Sequence, residues 1–364
     1  MKRGIWVALG VLVLVVAGGA VAWSSLDPLG SEDYDPEAAS EALSEIPDDV
    51  RDEIAEDVEA NESVEATVPA EVQEAQLEPF ELPSTDNPNT ISPPLPDDMF
   101  DSYLLIGTDA SGLRADVIID VLVPTDGSDP ILASIPRDLF VENPCTETYT
   151  RINATLSGCG DIVSGTTLLS IAVEQFTGIE VDAFAVVDFG GFEDIVDAVG
   201  GVEVCFEYPT RDVDAHLDVD AGCQLLGGAD ALAWARSRKT LELRDGAWRG
   251  IGADDFSRQE NQQELLFALA DRVASFGSLG SLSALAEATA DAVTLSEGLG
   301  LTEAVGLAWQ YRDIDPAEVA RVSLETKHYV TSYGAYVLEP TRSFNELLAE
   351  LYPAALREVV AADS

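Results

Sequence analysis

Hydrophobic and polar positions divide the chain into three textures. Gly4 to Trp23 is a run of twenty residues without a charge, preceded by Met1-Lys2-Arg3. Residues 24–98 are dominated by acids and proline, and from about residue 99 apolar runs alternate with turn residues. As a helix the first run spans roughly 30 Å, the thickness of a bilayer core. The two bases before it fix residues 1–3 as a cytoplasmic stub and 4–23 as a single membrane-spanning anchor, with the remainder outside. Ala20-Val21-Ala22 has the small-x-small form of a signal-peptide cleavage site, which is the competing reading. The apolar run is long for a signal peptide, which favours a retained anchor.

In the third texture, Ser102–Ile106 predicts a strand closed by the turn Gly107-Thr108-Asp109. Val117–Val123 and Ile131–Ile135 predict two more, the last ending at Pro136-Arg137-Asp138. Such continuous apolar runs suit strands buried on both faces. Leu168, Leu169, Ala172, Val173 and Phe176 follow helical spacing, with Gly178 at the C-cap position. Ala183–Phe189, Phe192–Val199 and Val202–Phe206 predict strand, helix and strand, a βαβ unit and hence an α/β fold. Ser257-Arg-Gln-Glu260 has the form of a capping box opening a further helix.

Composition then decides the middle texture. Residues 24–98 carry 23 acids against one base, Arg51, and ten prolines. The spacing allows a short helix around Glu37–Ala60, but the composition predicts a disordered, self-repelling tether. The whole chain has a net charge of −48, which excludes nucleic-acid binding as a bulk property. Four cysteines in an extracytoplasmic chain predict disulfides, and sequence proximity pairs Cys145 with Cys159 and Cys205 with Cys223. No nucleophile elbow, phosphate-binding P-loop or zinc motif is present.

What remains is arginine and aspartate. Ten of the sixteen arginines lie between Arg114 and Arg272, and they recur beside aspartates at the ends of predicted elements. The groups are Asp109, Arg114-Ala-Asp116, Arg137-Asp138, Arg236-Ser-Arg238 and Asp255-Phe-Ser-Arg258. Arg236 and Arg238 converge on one ligand if their helix ends by Ala235, and Arg258 falls in the first turn of a helix, where free N–H groups favour an anion. Guanidinium forks suit a pyrophosphate, and paired carboxylates with phosphate oxygens suit Mg²⁺.

Tyr103-Leu-Leu-Ile-Gly-Thr-Asp109, Arg114-Ala-Asp116, Ser134-Ile-Pro-Arg-Asp138 and Arg151-Ile-Asn-Ala154 occur in order. The segments Gly190–Val202, Ala231–Lys239 and Asp255–Glu260 follow. Over residues 99–353 this resembles the LytR–CpsA–Psr family of bacterial cell-envelope proteins, with 354–364 left as a tail. The resemblance implies a three-layer αβα sandwich with a central mixed sheet, outside the cytoplasmic membrane. It implies a Mg²⁺-dependent transfer of a glycopolymer from a polyprenyl-pyrophosphate carrier onto peptidoglycan through a phosphodiester. Asp109 and Asp116 would hold the metal; Arg114, Arg137, Arg236, Arg238 and Arg258 would bind pyrophosphate, with Asp138 and Asp255 orienting them. Arg151 takes a position that is usually basic in the family. Asn261 stands where the family often has a second arginine, the loop from Asp109 to Arg114 is short, and Trp234 replaces another aromatic. A non-catalytic prenyl-phosphate or glycan binder and a lipid pyrophosphatase are the rival functions. The apolar faces of Leu168–Phe176, Phe192–Val199 and Leu265–Leu269 are the candidates to line a cleft for the carrier's lipid chain.

Overall fold

The computed structural model describes residues 30–64, 89–109, 112–251, 255–274, 292–296, 319–331 and 334–352. The expected stub, the anchor at 4–23 and the tail at 354–364 lie outside the described residues. Among the described residues no helix is long and apolar enough to cross a membrane.

The described elements start with β1 (Gly30–Glu32), α1 (Pro36–Ser44) and α2 (Asp48–Val64). Then come β2 (Phe100–Thr108), β3 (Ala115–Pro124), β4 (Ile131–Ser134), β5 (Phe140–Glu142) and β6 (Tyr149–Arg151), with a 3₁₀ turn at Ile152–Ser157. Next are α3 (Gly165–Thr177), β7 (Ala183–Val187), α4 (Phe189–Ala198), β8 (Val202–Phe206), β9 (Thr210–Asp212), β10 (Leu217–Val219) and β11 (Gly222–Leu226). The rest comprises α5 (Gly228–Arg236), β12 (Leu241–Arg244), β13 (Ala247–Gly250), α6 (Asp255–Ala274), β14 (Val293–Ser296), β15 (Ala320–Val322), β16 (Thr326–Val330), β17 (Tyr336–Pro340) and α7 (Phe344–Leu351).

These elements form two compact units, one from residues 34–184 and 320–352, the other from residues 30–33 and 185–319. In the first, β2 pairs antiparallel with β3 and β3 with β4, while β4 runs parallel to β15. The sheet is therefore mixed. Ile118 to Pro124 of β3 is buried without interruption, as its apolar run predicts. α3 is capped by the Ser164 hydroxyl and ends at Gly178, whose φ of 73° is the left-handed C-cap conformation. A side chain there would also strike the carbonyl of Pro93, since a Cβ would lie 2.3 Å from it.

Residues 36–64 depart from the expected tether. Leu43, Ile46, Val50, Ile54 and Val58 recur every three or four residues, and this stripe packs the two helices onto the protein. Leu43 and Ile46 join a cluster with Cys145, Cys159, Val163, Leu168 and Ile171. Apart from Glu62, the acids from Glu37 to Glu62 occupy the outer face, so net charge hid an amphipathic pattern. Residues 89–98 are also held, by backbone bonds from Ser92 to the Gln175 carbonyl and from Leu95 to the Gly178 carbonyl. Leu168, Leu169, Val173 and Phe176 are fully buried, and Ile195, Val196, Val199, Leu265 and Leu269 are buried as well. The structure uses all these positions as core.

In the second unit, β14 pairs parallel with β1 and antiparallel with β7. β7 stops two residues short of the expected Phe189, because Asp188 caps α4 by accepting the Gly191 N–H. The expected βαβ unit is not formed: β8 pairs with β11 in an antiparallel ribbon. Its alternating pattern, with Val202, Val204 and Phe206 buried and Glu203 and Cys205 not, is that of a strand with one wet face. Cys205 and Cys223 face each other across this ribbon and are bonded, as Cys145 and Cys159 are in the first unit. Both predicted disulfides are present. β10, β9, β12 and β13 make a small antiparallel sheet.

A candidate anion site built from arginine and aspartate

In the first unit the site begins at an irregularity. Gly107 faces Val117 and Thr108 faces Ala115, so Asp116 is the extra residue of a bulge on β3. Bulges re-aim side chains. Gly107 is required here, because a Cβ would lie 2.9 Å from that of Val117. The Asp109 N–H donates to the Arg114 carbonyl, which brings both residues to the same hairpin end as Asp116. The short loop joining Asp109 to Arg114 includes residues 110 and 111, outside the described residues.

Arg137 follows β4 through Pro136, and its Nη1 contacts Asp116 Oδ1 directly. Its Nε lies 3.6 Å from Asp138 Oδ2. The other oxygen of Asp138 lies 3.5 Å from Nη1 of Arg151, at the end of β6. Asp138 thus lies between two arginines, within ion-pairing distance of each. Burial, and after it the neighbouring Arg151 guanidinium, pulls the Arg114 pKa below its ordinary value. Arg137 adds to that shift, while Glu62 and Asp116 oppose it. Guanidiniums crowded against the partly buried Arg114 create a potential that an anion would relieve. Asp109, Arg114, Asp116, Arg137, Asp138 and Arg151 are therefore neighbours in one unit. Among the described residues, no group of three or more His, Cys, Asp or Glu could hold a metal ion by itself.

The sequence reading missed Glu62. It is 1% exposed, and its Oε1 accepts from the Arg151 backbone N–H at 2.8 Å and from Arg151 Nε at 3.2 Å. The helical stripe through Val58 was the signal that could have found it.

The remaining candidates lie in the second unit. α5 runs through Arg236, one residue past the expected end at Ala235, so Arg236 and Arg238 do not share one extended strand. Arg236 instead stacks 4.6 Å from the centre of the Phe189 ring. The chain at Arg238 is held by Asp212, whose Oδ2 accepts from the Ser237 hydroxyl and the Arg238 and Lys239 N–H groups at 2.7–2.9 Å. Burial alone would raise the Asp212 pKa, but these donors outweigh it and hold it below the usual carboxylate value. α6 starts at Asp255, so Ser257 lies inside the helix and the expected capping box does not form. The Asp255 side chain is outside the described residues. Arg258 is in the first turn of α6, as expected, and is buried. One turn on, Asn261 and Gln262 donate to the carbonyls of Trp234 and Ala235, satisfying the end of α5. Asn261 thus has a packing role at the position where the family often has arginine.

The LytR_cpsA_psr family matches residues 65–351. A probable cell wall biosynthesis protein, LcpB, of Corynebacterium glutamicum is 38% identical over 48% of this chain and 37% of its own length. The polyisoprenyl-teichoic acid–peptidoglycan teichoic acid transferase TagV of Bacillus subtilis is 30% identical over 62% of this chain and 56% of its own length. The chain thus spans about half or less of these curated relatives. Among solved structures, a LytR-Csp2A-Psr enzyme from Actinomyces oris aligns with TM-score 0.56 and 25% identity over 71% of this chain and 96% of its own. With the ordered motifs, the bulge that aims Asp116 and a match across most of its length, this chain belongs to the LytR–CpsA–Psr family.

Proposed function

We propose that this protein transfers a glycopolymer from a polyprenyl-diphosphate carrier to a peptidoglycan hydroxyl. It acts outside the cytoplasmic membrane, on the αβα scaffold that the resemblance implies, and is anchored by residues 4–23. The observation that supports this most is the row Arg151, Asp138, Arg137, Asp116 at the β3 bulge, with Arg114 beside it, in a chain of net charge −48. Such a concentration of guanidinium suits a doubly or triply charged phosphate group.

The reaction joins the sugar hydroxyl oxygen to the glycan-bearing phosphorus and breaks that phosphorus's bond to the oxygen bridging to prenyl phosphate. It yields a phosphodiester, prenyl monophosphate and a proton. Arg114 and Arg137 bind the phosphoryl oxygens, and their charge opposes the charge that builds there as the bond breaks. Asp138, held between Arg137 and Arg151, keeps both forks fixed. The proton of the attacking hydroxyl passes to one of the two carboxylates beside Arg137, Asp116 or Asp138. The resemblance assigns Arg236, Arg238 and Arg258 to phosphate binding as well. Asp109 and Asp116 are the residues that would hold Mg²⁺, which suits a site of two carboxylates completed by phosphate and water. When bound it would neutralise charge on the diphosphate.

Titration of the purified chain with a short polyprenyl diphosphate tests this. Binding should strengthen with Mg²⁺ and weaken about 10–100-fold in Arg137→Ala, the worth of one lost charge-assisted hydrogen bond. Asp116→Ala should remove the Mg²⁺ effect. Wild-type binding that is absent, or indifferent to chelator, contradicts the assignment.

A further inference from the structure

Glu62 precedes residue 65, where the family match begins, and its helix lies in the stretch whose composition reads as a tether. Its carboxylate is nevertheless the first member of a continuous row of contacts. Glu62 holds Arg151, Arg151 reaches Asp138, Asp138 reaches Arg137, and Arg137 reaches Asp116. Delivery of Glu62 is fixed by the same helix. Arg51, about three turns earlier and so on the same face, donates Nη1 to the Cys145 carbonyl at 2.7 Å and Nη2 to the Leu43 carbonyl. Both ends of α2 are thereby attached to the loop closed by Cys145–Cys159, which also carries Arg151.

We propose that Glu62 is a positioning residue for the phosphate site, acting through Arg151 and Asp138 on Arg137. The physical reason is competition for one carboxylate. Arg151 is 5% exposed and its guanidinium needs anionic partners on more than one side. With Glu62 engaging its Nε, Arg151 takes only one oxygen of Asp138, and the other stays on Arg137. Without Glu62, Arg151 draws Asp138 to itself, and Arg137 loses the carboxylate that lies 3.6 Å from its Nε beside its contact with Asp116. The family domain is in this sense completed by a helix outside it.

The proposal rests on the reading of this cluster as a diphosphate site, so the test separates the two. Full-length Glu62→Gln keeps size and hydrogen-bonding ability and removes only the charge. NMR of the arginine Nε–H groups reads the positioning directly: the Arg137 signal should shift or broaden along with that of Arg151. Calorimetry with inorganic pyrophosphate and Mg²⁺ reads the consequence: affinity should fall about tenfold, the usual size of an outer-shell loss. Stoichiometry should not change, whereas a merely structural defect would lower it. In an Arg151→Met background the substitution should add nothing further. An unmoved Arg137 signal, affinity that rises, or losses that add in the double variant overturn the proposal. If Arg137 moves but even the wild type binds no pyrophosphate, the positioning stands and the diphosphate reading falls.

Discussion

Asp120 is fully enclosed in β3, where it accepts the Ser102 hydroxyl at 2.7 Å. Burial, opposed by that hydrogen bond and reinforced by Asp182, pushes its pKa up to about 7. A carboxyl whose folded pKa exceeds its unfolded one binds its proton more tightly when folded. Stability is therefore full below the unfolded value of about 4 and falls as pH rises towards 7. Asp120→Asn should raise the Tm at pH 8, leave it nearly unchanged at pH 4 and flatten the profile between. A parallel shift of the whole profile would contradict this. The residues that carry the proposed chemistry were legible because motifs name them: Asp116, Arg137 and Asp138 stand together as their local sequence suggests. Glu62 and Asp212 were not. Each acts by accepting hydrogen bonds from a distant stretch, which residue spacing does not express.

At the scale of elements, the strands of the first unit follow their apolar runs closely, and α3 starts and stops at its capping residues. The two largest errors share a cause: a global or regional property outweighed a local period. The acidity of residues 24–98 concealed the stripe that docks α1 and α2. The alternation in Val-Glu-Val-Cys-Phe206 already distinguished β8 from a parallel strand. The β12–β13 hairpin turns at Asp245-Gly246, both at positive φ, a pairing that its dipeptide signals directly. Docking of α2 depends on Arg51, which is buried and bonded to two carbonyls. Arg51→Ala should destabilise by about 2 kcal/mol, since it leaves buried acceptors unsatisfied. A urea unfolding midpoint equal to that of the wild type would show that the helix contributes no stability there.

Across the whole molecule, 67 acids face 19 bases. Self-repulsion of this size opposes compaction, and salt screens it over about 10 Å at 0.1 M. The Tm should rise as NaCl increases from 20 mM to 0.5 M, in contrast to a protein held by surface ion pairs. A Tm that falls with salt would mean that exposed pairs such as Lys239–Asp214 outweigh the net repulsion. Against this background the cluster of three arginines at the β3 bulge is the feature that asks for a substrate, and phosphoryl transfer is the account proposed for it. The most direct test is reconstitution with a labelled glycan on polyprenyl diphosphate and a peptidoglycan oligomer, products weighed by mass spectrometry. The account predicts a glycan–phosphate–peptidoglycan adduct and prenyl monophosphate in equal amounts, both lost in Arg137→Ala. Prenyl monophosphate released without the adduct, an intact carrier, or full activity in Arg137→Ala would contradict it.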